Sequence, residues 1–251
     1  MSRYFLEISY DGTKYHGWQV QPNGITVQQV IEEKMRILMK QDIQITASGR
    51  TDAGVHAMRQ FAHFDFEELP CPKDELMYKL NRMLPYDISL RDIHPVIDTA
   101  HARFDATLRS YHYHISYVKD PFRYKYRYTL WHPLNVSDMQ KAAKMLFEYD
   151  DFESFCKYNH DAKTTICKLQ KAEWVESPGQ LNFIISSDRF LRNMVRAIVG
   201  TMVELGKGQI TLDDFRRIIE AKDRVKAGFS SPASGLFLAE VHYPENIWLR
   251  S

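Results

Sequence analysis

A guanidinium, a hydroxyl and a carboxylate stand together between two glycines in the segment Gly49-Arg50-Thr51-Asp52-Ala53-Gly54-Val55-His56. Glycine has no Cβ, so a loop bounded by glycines can bring its backbone close to a ligand. A carboxylate on such a loop acts as nucleophile or base while it stays ionised. The neighbouring Arg50 favours the ionised form. The same spacing also suits an aspartate that caps a turn, with Arg50 as its surface partner. Spacing alone leaves both readings open.

Other residues with chemical potential lie far away in the chain. Tyr111 falls on a strand pattern over 107–118, with Tyr113 and Ile115 on its face and His112 and His114 opposite, because side chains alternate along a strand. One face of that strand is therefore aromatic and offers a stacking plane, although Tyr113 reads as a core residue. Arg196 falls in a helical pattern over 190–205. There Phe190, Met194, Ala197 and Ile198 form one stripe, and Arg192, Arg196 and Val199 lie to another side. An arginine in such a place is ordinarily a solvated face residue. Arg103 and Arg109 read as phosphate contacts or as surface cations. Residues 119–128 interleave four basic and four aromatic side chains, which suits phosphate contacts with base stacking and equally suits cross-strand ring pairs. His112 and His114 could offer two metal ligands, but neither motif nor spacing supplies the third or fourth that zinc normally takes. No metal site is expected.

The elements that must position these groups follow from periodicity and punctuation. Residues 4–10 alternate as a strand and end in the turn signal Asp11-Gly12; 12–25 read as a long loop. Thr26 caps a helix over 27–39. A short strand over 43–46 feeds the loop at 48–57, and 59–66 is a further strand. Pro72 opens a helix to Met83, and 88–96 is a strand. Later come a helix from a cap at Ser137 to Phe147, a hairpin around Ser177-Pro178-Gly179, the helix over 190–205, a helix from the cap Thr211 to Ala221, and a strand over 236–242. The mixture predicts an α+β chain with two similar mixed halves, 1–105 carrying the Asp52 loop and 106–251. No internal repeat is strong enough to establish a duplication.

Composition bounds the rest. The 251 residues are 44% hydrophobic and 26% charged, with a net charge of +1; this reads as soluble and globular, the global charge gives no sign of a nucleic-acid partner, and three scattered cysteines fit a reducing cytoplasm. Any nucleic acid would therefore need a local basic face. No apolar run approaches a membrane span, and the first residues pass straight into a strand pattern, so no leader is expected. Cys71, Cys156 and Cys167 form no Cys-x-x-Cys pair and read as small buried or half-buried residues.

The literal string Gly49–His56 resembles the signature of the TruA family of tRNA pseudouridine synthases. Five further segments match in order. They are Tyr10-Asp11-Gly12-Thr13 with Tyr15-His16-Gly17-Trp18-Gln19; Leu80-Asn81 with Leu84-Pro85; His101-Ala102-Arg103-Phe104-Asp105-Ala106 with Arg109-Ser110-Tyr111-His112-Tyr113; Arg189-Phe190-Leu191 with Met194–Gly200; and Ser231-Pro232-Ala233-Ser234-Gly235-Leu236. Ser230-Ser231-Pro232 stands where the family more often has Thr-Ala-Pro, and Ser110 and His112 where more basic residues are common.

The resemblance implies the pseudouridine synthase fold, in which each half is an antiparallel-rich sheet with helices on one face and the halves meet at a central RNA-binding cleft. It implies isomerisation of uridine at positions 38, 39 and 40 of the tRNA anticodon stem-loop, without cofactor or metal, by a homodimer that also contacts the tRNA elbow. It makes Asp52 the catalytic carboxylate, Tyr111 the residue that stacks on the target base, Arg196 the cation paired with the aspartate, and Arg50 the residue that helps displace the base. It extends substrate binding to His56, Gln60, Arg103, Phe104 and Arg109. A glycoside hydrolase would need a second carboxylate tied to the first; neither Asp65 nor Asp105 is so tied by spacing. A non-catalytic RNA-binding relative would tolerate loss of Asp52, yet Asp52, Tyr111 and Arg196 all match.

Overall fold

The computed structural model describes residues 1–157 and 163–249. Its main elements run β1 (Ser2–Tyr10), α1 (Val27–Met39), β2 (Thr46–Ala47), β3 (His56–Phe66), α2 (Lys73–Met83), β4 (Ile88–Val96), β5 (Leu108–Ser116), β6 (Tyr128–Thr129), α3 (Val136–Met145), β7 (Leu169–Ser177), β8 (Gln180–Ser187), α4 (Met194–Gly206), α5 (Leu212–Glu220) and β9 (Leu236–His242). This is the expected α+β class. The chain forms two compact units, one of Met1–Leu108 with the segment from Leu238 onward, the other of Arg109–Phe237. Among the described residues, no helix is long and apolar enough to cross a membrane.

In the first unit the strand order is β4-β1-β3-β9, with β2 paired to β3. β1 runs antiparallel to both β3 and β4. Leu6 pairs with Ala62 and Phe5 with His63, so these neighbouring pairs point to opposite faces. Helices cover the Leu6 face: Leu6 and Ile8 of β1, Ile31 and Met35 of α1, Leu80 of α2 and Leu90 of β4 share one apolar interior. On the other face Phe5 meets the C-terminal rings of Tyr243 and Trp248 edge-on, at 5.1 and 5.7 Å, a geometry aromatic quadrupoles prefer. Thr26 caps α1 as expected, its side chain accepting from Gln29 N–H. The strand expected over 43–46 is displaced to Thr46–Ala47. The cause is local: Ile45 N–H donates to Glu32 Oε1 at 2.9 Å and its carbonyl accepts from Gln28 Nε2 at 3.1 Å. Side chains of α1, rather than a neighbouring strand, satisfy that backbone.

In the second unit the order is β5-β8-β7, antiparallel throughout. β6 adds in parallel to β5. Tyr113, Ile115, Phe183 and Ile185 are fully buried, as the alternation of β5 and β8 requires. Two helix starts differ from expectation. α3 is capped by Asn135, whose side chain accepts from Asp138 N–H, and not by Ser137. α4 begins at Met194 because Asn193 takes a left-handed φ of 66°, a conformation asparagine tolerates better than most residues. Residues 190–193 therefore lie outside the helix. Thr211 caps α5 in a reciprocal capping box with Asp214.

Candidate active site

The Asp52 loop is held from several sides within the first unit. At its start, Ser48 N–H donates to the Phe61 carbonyl at 2.7 Å and Ser48 Oγ donates to Gln60 Oε1 at 2.8 Å. Gln60 Nε2 returns to the Gly49 carbonyl at 2.8 Å. In the middle, the Tyr10 hydroxyl lies 2.8 Å from Thr51 Oγ1, and Trp18 N–H donates to the Thr51 carbonyl at 3.2 Å. At the end, Val55 N–H closes back on the Asp52 carbonyl at 3.1 Å. His56 Nδ1 stands 3.1 Å from Gly12 N and 3.0 Å from an Asp11 carboxylate oxygen. It serves the first as acceptor or the second as donor, according to where its proton sits.

Asp52 is left half-buried and Arg50 exposed. His56 and Gln60, both named as substrate contacts above, are 1% and 0% exposed. Their burial places them behind the loop, where their polar atoms bind its backbone and its flanking residues.

The two glycines that bound the loop differ: Gly54 takes φ +78° and its N–H donates to the Tyr15 carbonyl at 3.3 Å. Gly49 faces open space. Close approaches to the loop are made by Gly12, where a Cβ would overlap the Val55 carbonyl, and by Gly17, at φ +86°, where a Cβ would lie 2.5 Å from the Thr51 carbonyl oxygen and 3.1 Å from the Asp52 carbonyl carbon. The segment 10–19 is thus the bed on which the carboxylate loop lies.

Elsewhere in this unit Arg103 and Phe104 are exposed, with the guanidinium 5.9 Å from the Phe104 ring centroid. In the second unit Tyr111 is half-buried on β5, and the Phe190 ring meets it edge-on at 5.0 Å and 87°. Tyr113, two residues on, is a fully buried core residue whose hydroxyl donates to the Pro232 carbonyl at 2.8 Å. Burial is the first cause that raises its pKa above the usual tyrosine value. Arg109 is half-buried, with Nη1 donating to the Asp188 carbonyl at 2.6 Å.

Arg196 is not the solvated residue that mid-helix position suggests. In α4 every residue except Arg196 and Glu204 is buried. Arg196 Nε donates to the Ser231 carbonyl at 2.7 Å, and Ser231 N–H donates to the Arg196 carbonyl at 3.0 Å. Both bonds use the Ser231 backbone, so they do not depend on its side chain. Gly200 makes the pairing possible, since a Cβ there would overlap the Phe229 carbonyl.

The basic and aromatic stretch divides: Phe122 and Tyr124 are exposed, whereas Tyr126 and Tyr128 lie on Phe237 and Phe229. His112 and His114 have ring centroids 6.3 Å apart. Among the described residues, no group of three or more His, Cys, Asp or Glu side chains is arranged to hold a metal ion.

The sequence profile of a family described as tRNA pseudouridine synthase matches residues 8–105 and 142–244, well over half of the chain. The chain belongs to the tRNA pseudouridine synthase family. Relatives named tRNA pseudouridine synthase A include one from Bacteroides fragilis, 51% identical over 249 residues with 99% of each chain covered. Another, from Porphyromonas gingivalis, is 44% identical over 252 residues and covers 99% of this chain and 100% of its own. One from Bacillus subtilis is 40% identical over 240 residues, 94% of this chain and 97% of its own.

Within this pseudouridine synthase, the sequence named Gln60 and His56, which brace the Asp52 loop and its neighbours, but gave no role to other residues that hold it. Gly17, Tyr10 and Trp18 stood in a matched motif without a role. Phe190 was placed on a helix stripe; its contact is with Tyr111. A repeated pattern of glycines and aromatics just before the helix at 27 was the available signal.

Proposed function

We propose that this chain isomerises uridine to pseudouridine in tRNA, at positions 38, 39 and 40 of the anticodon stem-loop, with Asp52, Tyr111 and Arg196 as its catalytic residues. The reaction breaks the N1–C1′ bond, turns the uracil and joins C5 to C1′. Nothing is consumed, so the chemistry itself calls for no cofactor. A carboxylate is needed as nucleophile, or as counter-charge where positive character develops. Asp52 supplies it from a loop held through backbone and side chains by Ser48, Gln60, Tyr10 and Trp18, and that fixation is the observation that carries the reading. A preorganised carboxylate loses little freedom on reaching the reacting carbon. Tyr111 offers the plane on which the detached uracil turns, and Arg196 the cation that favours a charged aspartate.

A target uridine in the paired stem must be flipped out, at a cost of a few kcal/mol. The exposed Arg50 is the residue to hold the vacated space. Because A-form RNA hides its base edges in a deep groove, recognition rests on shape and phosphates. Arg103, Phe104 and Arg109 are the proposed contacts, with His56 and Gln60 acting through the loop they support. We read the assembly as a cytoplasmic homodimer with tRNA, from anticodon stem-loop to elbow, lying across both subunits. The family resemblance supports the dimer, and three free cysteines suit a reducing compartment.

The test uses tRNA tritiated at uracil C5. Asp52→Asn is expected to abolish tritium release while tRNA binding stays close to parental. Release at the parental rate would overturn the role of Asp52.

A further inference from the structure

Each backbone N–H from His101 to Asp105 has an acceptor. His101 N–H donates to Asp105 Oδ2 at 2.7 Å, and Asp105 N–H returns to the His101 carbonyl at 3.0 Å. The three N–H groups between them all go to imidazole nitrogens. Ala102 N–H donates to His63 Nδ1 at 3.1 Å. Arg103 and Phe104 N–H donate to His101 Nδ1 at 3.1 and 3.3 Å. From outside, the Tyr243 hydroxyl donates to the Ala102 carbonyl at 2.6 Å, and Arg3 Nη1 to the Ala100 carbonyl at 2.8 Å. The buried Ala102 N–H requires its acceptor, but the exposed N–H groups of Arg103 and Phe104 could have been left to water and are bound by His101 instead.

The constraint serves two side chains. Phe104 is 74% exposed, an unusual place for a phenylalanine, yet its ring is supported by His101 at a centroid distance of 4.2 Å. His101 is backed in turn by His63, edge-on at 4.6 Å. The Arg103 guanidinium stands beside the platform. An exposed ring with an adjacent cation is the pairing that binds an unstacked base together with its phosphate. To accept at Nδ1, both imidazoles must be neutral with the proton on Nε2. Burial pushes the His63 pKa down to about 4, with the Arg3 charge adding to it; burial lowers that of His101 as well.

We propose that His63 and His101 are positioning residues for RNA binding: as neutral acceptors they fix the loop 101–105, and through His101 they prop Phe104 as a platform for an RNA base beside Arg103. This inference rests on the reading of Arg103 and Phe104 as tRNA contacts, and the experiment separates the two. The half-saturating tRNA concentration and the single-turnover rate at saturation are measured for the parent, Arg103→Ala, Phe104→Ala, His101→Phe and His101→Asn.

His101→Phe keeps a ring but removes the acceptor of two hydrogen bonds. It should raise half-saturation about tenfold and leave the rate at saturation within about twofold. His101→Asn places an amide oxygen near Nδ1 but lacks the ring beneath Phe104, so it should recover part of the binding that His101→Phe loses. A parental half-saturation for His101→Phe, a loss confined to the rate at saturation, or no rescue by His101→Asn overturns the inference while Arg103→Ala and Phe104→Ala still weaken binding. Parental binding by both of those alanine variants overturns the underlying reading and the inference with it. Should His101→Phe not fold, His101→Gln, whose amide is carried one methylene too far, takes its place with the same expected rise.

Discussion

Gly17 is the most exacting single test of how the carboxylate loop is built. Replacing it with alanine asks an L-residue to hold φ +86°, which costs about 1–2 kcal/mol. The new Cβ would lie 2.5 Å from the Thr51 carbonyl oxygen, whereas non-bonded heavy atoms settle at about 3.5 Å. The loop must therefore retreat by roughly 1 Å at the residue that precedes Asp52. The Trp18 N–H to Thr51 carbonyl bond, already 3.2 Å, would be lost, at about 1 kcal/mol. The total is a destabilisation of about 2–3 kcal/mol, which a domain of ordinary stability survives. Chemistry suffers more, because a misplacement of about 1 Å costs on the order of 100-fold in rate, or ~2.7 kcal/mol on the barrier. Single-turnover tritium release at saturating enzyme reads the rate, and a urea melt reads stability. Gly208→Ala is the control: its φ is also positive, at 71°, but open space surrounds it, so it should lose stability without losing rate. A Gly17→Ala rate within twofold of the parent, or an equal rate loss in Gly208→Ala, would refute the account of the loop as a bed-supported carboxylate.

Gly200→Ala would overlap the Phe229 carbonyl beside the Arg196–Ser231 pair; overpacking of this kind costs about 1–3 kcal/mol, and urea midpoints together with tritium release should both fall. Tyr113→Phe removes a buried donor from the Pro232 carbonyl and should lower stability by ~1 kcal/mol with pseudouridine formation intact, a contrast with Tyr111 that a paired assay reads directly. Stability should also fall in mild acid through His63. Its folded pKa, about 4, lies below the ordinary histidine value of about 6.5, so the unfolded chain takes up the proton first, and stability present above pH 6.5 is lost as pH falls towards 4. Between pH 7 and pH 5 the loss from this group is about 2 kcal/mol; urea melts at the two pH values should show that slope flattened in His63→Asn, and an unchanged slope would contradict it.

The elements carried by local signals are legible in the order of residues alone. The Thr26 cap and apolar spacing delimit α1 at Val27–Met39, and β4 and β9 fall where alternation puts them. Those signals live within a few residues, and so do the strings on which the proposed roles of Asp52, Tyr111 and Arg196 rest. What tertiary structure decided involves partners distant in sequence. The short strand before the Asp52 loop moved because Gln28 and Glu32 of α1 claimed its backbone groups. The start of α4 moved because Asn193 turned left-handed, its amide donating to Ser230 Oγ. The resemblance names His56 and Gln60 as substrate contacts, and only the fold shows that both are buried and bonded to the loop and its neighbours. His63 and the loop it holds are 39 positions apart, and Gly17 meets Thr51 only because the fold lays one segment across the other. A side chain's chemistry is written in its own identity. Its acceptors, its burial and the backbone it rests on are properties of neighbours that only folding supplies.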